Sequence, residues 1–433
     1  MRRLTAAATG LAALFVLACS SDGRAVETPT VEPTATTPAT TTTTPTSTAT
    51  AVATATVTGT PTPTGPISDA AVEELPLDVR VGQLIFTGLP GTTVGAEAQR
   101  LLGTLHIGNV VVMGENAGTP AQVEAFTSAV QELVERSNSV GALIATDQEG
   151  GLVQRLTEGF TRLPDAASVG AAGRSDLARQ YGEVVGDELS AVGVNMALGP
   201  VLDVNDNPAN PVIGRRAFGS TVETVVATGL PYIEGLHAAG VVAVGKHYPG
   251  HGNTETDSHF TLPVVRKTVE QIEATELAPF EAAIAAGLDA VMMAHVAYPA
   301  LDPSGMPASL SPVIGAMLKD QLGASGVVVT DDLGMAGVAA LMPSEDAALR
   351  AVQAGADLLI CVSLPCDATL VHARLMRAVE TGELAESRLN DAVRRVLELK
   401  ERHRIGVQVS GDLDAVGSPA HRAVIEEILA AGG

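Results

Sequence analysis

The chain has 433 residues, 46% of them apolar and 17% charged, which is enough to bury a large core as two ordinary domains or as one large α/β barrel. Its formal charge of −23, with no lysine or arginine cluster to relieve it, excludes nucleic acid as a partner. Besides Cys19 there are only Cys361 and Cys366, too few for a disulfide framework; two free thiols are expected there, since a local bridge requires a sharp backbone turn.

At the N-terminus, Arg2 and Arg3 precede a short apolar stretch through Leu17 and then Ala18-Cys19, the order of a secretory signal ending at a lipoprotein cleavage site. The box Val16-Leu17-Ala18-Cys19 resembles the bacterial lipobox, with Leu17 bulkier than usual at its position. Residues 1–18 are therefore expected to be a signal peptide, and Cys19 the lipidated first residue of an extracytoplasmic protein held on the cell membrane by a lipid anchor. From about Glu27 to Pro66 the chain is nearly all Thr, Pro, Ala and Val, so residues 19–68 are expected to form a disordered tether. Extended at about 3 Å per residue, it reaches on the order of 100 Å from the membrane.

Short β-branched apolar runs then recur through residues 69–433, at Gln83 to Leu89, Ile107 to Met113, Ala142 to Asp147, Val194 to Asp203, Val241 to His247, Ala290 to Val296, Gly326 to Asp332 and Ala354 to Val362. Between most of them lie helical patterns, at Ala121 to Arg136, Asp176 to Val192, Val222 to Ala239 and Val269 to Ala286, and helices over Glu383 to Arg404 and Pro419 to Ala431 close the chain. Runs apolar on both faces indicate buried parallel strands, and eight such units predict a closed (β/α)₈ barrel of the TIM type forming a single catalytic domain.

In such a barrel the segments following the strands build one rim. Asp147-Gln148-Glu149-Gly150-Gly151 follows the third run, Asp203 and later Arg216 the fourth, Lys246 to His259 the fifth, His295 the sixth and Asp331-Asp332 the seventh. A lone aspartate closing a strand is commonly a helix cap, but polar groups ending so many runs point to a site. The segment 246–259 is the densest, with one lysine, three histidines and two carboxylates on a backbone fixed by proline and glycine.

These residues make the chain resemble glycoside hydrolase family 3, in its single-domain β-N-acetylhexosaminidase branch. The resemblance runs from about Leu75 to Arg404 and rests on K-H-x-P-G-H-G at Lys246 to Gly252, D-S-H at Asp257-Ser258-His259, and D-x-E-G-G-x-V-Q-R at Asp147 to Arg155. It is supported by R-L-P at Arg162 to Pro164, N-P-V-I-G-x-R-x-F-G at Asn210 to Gly219 and T-D-D-L-x-M at Thr330 to Met335. Leu152 departs from the pattern, which often has arginine there.

The resemblance implies a retaining exo-β-N-acetylglucosaminidase acting on peptidoglycan fragments or small chito-oligosaccharides; the histidines lack a standard zinc spacing, so no metal or cofactor is expected, and the protein is expected as a monomer. It selects Asp331 as nucleophile; strand parity alone does not choose between Asp331 and Asp332, because valines occupy both sets, and Asp332 is expected to cap or orient a loop. It makes His259 the proton donor, with Asp257 accepting a hydrogen bond from one ring nitrogen so that the other serves the leaving oxygen. Asp147 is expected to accept from sugar hydroxyls, with Arg155, Arg216, Lys246 and His247 as donors. His251 is expected to brace the loop, while His295 either lines the pocket or orients Lys246 or Asp331. The absence of tryptophan disfavours a processive enzyme. Alternatives are a β-glucosidase or a phosphorylase of the same family, or a catalytically idle cell-wall-binding lipoprotein.

Overall fold

The computed structural model describes residues 67–323, 326–406 and 411–432. The signal segment, Cys19 and nearly all of the tether lie outside the described residues. Eight parallel strands close on themselves in chain order: β1 (Ile85–Thr87), β2 (Asn109–Val111), β3 (Leu143–Thr146), β4 (Met196–Ala197), β5 (Val242–Tyr248), β6 (Ala290–Met293), β7 (Val327–Asp332) and β8 (Leu358–Cys361). Closure is made by β8 pairing with β1, Leu359 opposite Ile85 and Cys361 opposite Thr87. The expected (β/α)₈ barrel is present, with strands shorter than the apolar runs that encode them.

Two apolar layers explain those runs. Leu143, Ala145, Val242, Val244, Val327 and Val329 belong to one buried cluster that fills the barrel, and helix Glu386–Arg402 joins it through Val396 and Leu399. The alternate residues Ile144, Ala243 and Val328 belong to a second cluster shared with the surrounding helices. A strand buried on both faces must be apolar at every position, and this erases the period-two signal. Among the described residues no helix is long and apolar enough to cross a membrane.

One sequence expectation is refined and one is corrected. The helix expected over Val269 to Ala286 is present from Val269 to Ala285, with one wide turn, Glu273–Leu277, between the regular segments Val269–Ile272 and Ala278–Ala285. Pro279 has no N–H to give to the carbonyl one turn earlier, so the ladder must be rebuilt ahead of it. Cys361 and Cys366 are not free thiols but a disulfide. The N–H of Cys366 donates to the Ser363 carbonyl at 2.9 Å, and this turn brings the two Cα atoms to 5.4 Å, within the range that a disulfide spans.

Candidate active site

Inward parity continues past the apolar layers into charge. Two residues beyond Ala145 stands Asp147, two beyond Val244 stands Lys246, and two beyond Val329 stands Asp331, so three charged side chains crown the barrel interior. Lys246 is buried and donates to Asp147 Oδ1 at 2.7 Å, while Arg155 approaches Asp147 Oδ2 at 3.4 Å.

Glu149 ties this layer together. Its carboxylate takes a bidentate grip from Arg216, 2.7 Å from Nε and 2.8 Å from Nη2, and lies 2.6 Å from Lys246 Nζ. Burial opposes its charge, but Lys246 and Arg216 outweigh that and hold its pKa far below the ordinary range. Burial alone would discharge Lys246, yet Asp147 and Glu149 raise its pKa, so it remains a cation. Glu149 belongs to a short hairpin, Gln148–Gly150 with Val153–Gln154, whose turn needs glycine. Gly150 has φ +93°, and a Cβ there would come within 2.1 Å of the Pro164 carbonyl oxygen. The buried Tyr181 hydroxyl, 3.0 Å from the Glu149 carbonyl, pins the hairpin from the helix Ser175–Ala191.

Asp203 plays the same part for the segment after β5. Its buried carboxylate meets His247 Nδ1 at 2.7 Å and accepts the His251 N–H at 2.6 Å. Burial opposes its charge but His247 overcomes this, so its pKa is lowered. Nδ1 of His247 is thereby committed, leaving Nε2 for a ligand. His251 braces the loop as expected, with Nδ1 2.8 Å from the Thr254 hydroxyl and Nε2 3.1 Å from that of Ser258. Burial, reinforced by His247, lowers its pKa to about 4, so it is neutral.

The two adjacent aspartates of β7 part company. Asp331 faces the mouth; burial opposes its charge, but His295 first, then His247, the Asp332 N–H and Lys246 favour it, and its pKa is lowered. Asp332 turns outward to the β8 loop, where Oδ1 accepts the N–H groups of Gly334 at 3.1 Å and Val362 at 3.2 Å, and Oδ2 accepts that of Ser363 at 3.0 Å and its hydroxyl. This is the loop-orienting role expected of it. His295 is buried between the Ser309 hydroxyl, 2.7 Å from Nδ1, and the Asp332 carbonyl, 3.0 Å from Nε2. It therefore braces the strand end that carries Asp331 and makes no hydrogen bond to Lys246.

Asp257 and His259 form a pair at the rim. Asp257 Oδ1 accepts the His259 N–H at 2.8 Å and lies 2.7 Å from its Nδ1. Partial burial opposes the carboxylate, but these two bonds outweigh it and lower its pKa. The His259 ring is exposed, and among the described residues it bonds only Asp257.

Asp147, Arg155, Arg216 and Lys246 thus share one network, His247 and Asp331 stand beside it, and the Asp257–His259 pair is separate from it. Glu149 and Asp203 were visible in the sequence, one in a motif and one closing a run, but their roles as hubs were not. Among the described residues no group of three or more His, Cys, Asp or Glu side chains is arranged to hold a metal ion.

Residues 76–399 match the model of the glycosyl hydrolase family 3 N-terminal domain. The chain is 38% identical over 299 residues to a protein of Methylococcus capsulatus named beta-hexosaminidase, covering 68% of this chain and 87% of that one. It is 33% identical over 364 residues to beta-hexosaminidase A of Pseudoalteromonas piscicida, covering 78% of this chain but only 61% of that longer one. A solved family 3 β-N-acetylglucosaminidase from Paenibacillus sp. str. FPU-7 superposes with a TM-score of 0.78 at 39% identity, covering 82% of this chain and 68% of that one.

Proposed function

Since the chain belongs to glycoside hydrolase family 3, we propose that it is a retaining exo-β-N-acetylglucosaminidase that removes terminal non-reducing N-acetylglucosamine from peptidoglycan fragments or small chito-oligosaccharides. The observation that carries this reading is the coexistence of an inward Asp331, whose pKa is lowered, with a separate hydrogen-bonded Asp257–His259 pair in the segment after β5. Retention needs a carboxylate to attack the anomeric carbon and a proton for the departing oxygen. Asp331 supplies the first. His259 supplies the second from Nε2 while Asp257 holds Nδ1, and in the second step the same nitrogen takes a proton from water as it displaces Asp331.

The charged crown suits the sugar. Asp147 already holds Lys246 and Arg155 on its two oxygens, and each oxygen has a further lone pair for a hydroxyl. The Arg155 side chain is partly exposed and spends only Nη2 on Asp147, leaving guanidinium N–H groups to donate to a sugar oxygen. Arg216 is held in place by Glu149, and Lys246 has one N–H left after its two carboxylates.

A panel of nitrophenyl β-glycosides, run with a chelator and with or without phosphate, tests the proposal. The N-acetylglucosaminide should be the preferred substrate, with the β-anomer as first product in NMR. A first-formed α-anomer, loss of activity with chelator, preference for the glucoside, or sugar phosphate as the main product would each contradict it.

A further inference from the structure

Exposed apolar side chains are ordinary when scattered, but here the most exposed ones converge on the catalytic face. Among the described residues the three most exposed large hydrophobic side chains are Leu152 at 101%, Leu364 at 90% and Phe260 at 78%, and the next, Val313, falls to 54%. Each is fastened to part of the site. Leu152 is at the tip of the hairpin that carries Glu149, after β3. Phe260 directly follows His259, after β5, and its N–H donates to the Asp257 carbonyl at 3.1 Å. Leu364 follows Ser363, which is bound to Asp332, in the loop after β8 that the Cys361–Cys366 disulfide closes. Strands β3, β5 and β8 are spread around the barrel, so these residues ring the mouth instead of forming one patch.

Resting on the function proposed above, we infer that Leu152, Phe260 and Leu364 form an apolar collar of the leaving-group subsite. It favours an aglycone that presents a C–H face, such as a pyranose ring, over a small hydrophilic alcohol. The terminal sugar occupies the charged crown, and the proton donor must reach the glycosidic oxygen. The leaving group therefore extends outward past His259, towards the rim loops after β3, β5 and β8 that carry these three side chains. The axial C–H groups of a β-linked pyranose make one face of the ring apolar, and burying that face against Leu or Phe releases water from both.

The test compares kcat/KM of the full chain on the β-1,4-linked N-acetylglucosamine disaccharide with that on methyl β-N-acetylglucosaminide. In Phe260→Ala, Leu364→Ala and Leu152→Ala the ratio of disaccharide to methyl glycoside should fall by about three- to tenfold each, the scale of one or two lost methylene contacts, mainly through KM for the disaccharide. Phe260→Leu should restore most of the ratio, separating lost contact from a disturbed His259 loop. A ratio within twofold of wild type in all three alanine variants, or a fall through kcat alone, would overturn the inference. Wild-type protein that cleaved neither substrate would instead overturn the function on which it rests.

Discussion

Replacing Glu149 by glutamine isolates the hub of the site without changing its shape. Arg216 Nε and Nη2 donate to the two carboxylate oxygens, and Lys246 Nζ shares Oε1. Glutamine offers one oxygen and one NH₂, so one of the two Arg216 donors must face another donor, and buried Lys246 and half-buried Arg216 lose their common counter-charge. Breaking a buried ion pair from one side costs about 3–5 kcal/mol. Lys246 keeps Asp147, which places Glu149→Gln nearer the lower figure. Urea unfolding followed by circular dichroism should show that loss at neutral pH. Because Arg216 and Lys246 are the donors assigned to the sugar, KM for nitrophenyl N-acetylglucosaminide should rise more than kcat falls. Wild-type stability together with an unchanged KM would refute the argument that this carboxylate organises the crown.

His259→Ala should be sensitive to the leaving group, losing on the order of 10²–10⁴-fold on a disaccharide but far less on an activated aryl glycoside, whose departure needs little protonation. Asp257→Ala should show a milder form of the same pattern, and azide should speed turnover of the His259 variant; equal losses on both substrates would remove His259 from the role of acid. Buried His251 predicts a pH dependence of stability. Its folded pKa of about 4 lies below the ordinary 6.5, so the unfolded chain takes up the proton first, and the stability present above pH 6.5 drains away as pH falls towards 4. At about 1.4 kcal/mol per pH unit this one group accounts for roughly 3 kcal/mol. The urea midpoint should decline across that window and decline less steeply in His251→Gln; identical slopes would contradict the assignment.

The barrel was legible because each strand is buried on both faces and leaves a continuous apolar run between amphipathic helices. The same double burial hid the choice between Asp331 and Asp332. Valines occupy both parities of β7, and only the division into an interior cluster holding Val327 and Val329 and an outer layer holding Val328 shows which aspartate faces the mouth. Glu149 could be seen in the sequence, but its partner Arg216 lies 67 residues away and no local pattern reports such a pairing. The disulfide was misread because five residues of separation decide nothing until the turn at Ser363 is known. Pro279 was present in the apolar pattern of residues 269–286, but apolar spacing does not register a missing N–H.

The central claim, that Asp331 attacks the sugar while Asp332 only orients the β8 loop, is tested most directly by trapping the glycosyl-enzyme. The His259→Ala variant, incubated with an activated aryl N-acetylglucosaminide, should accumulate it, since removing the base also slows hydrolysis of the intermediate. Proteolysis and fragment mass spectrometry should place one sugar on Asp331. A label on Asp332, or no covalent adduct while nitrophenol is still released, would contradict the account.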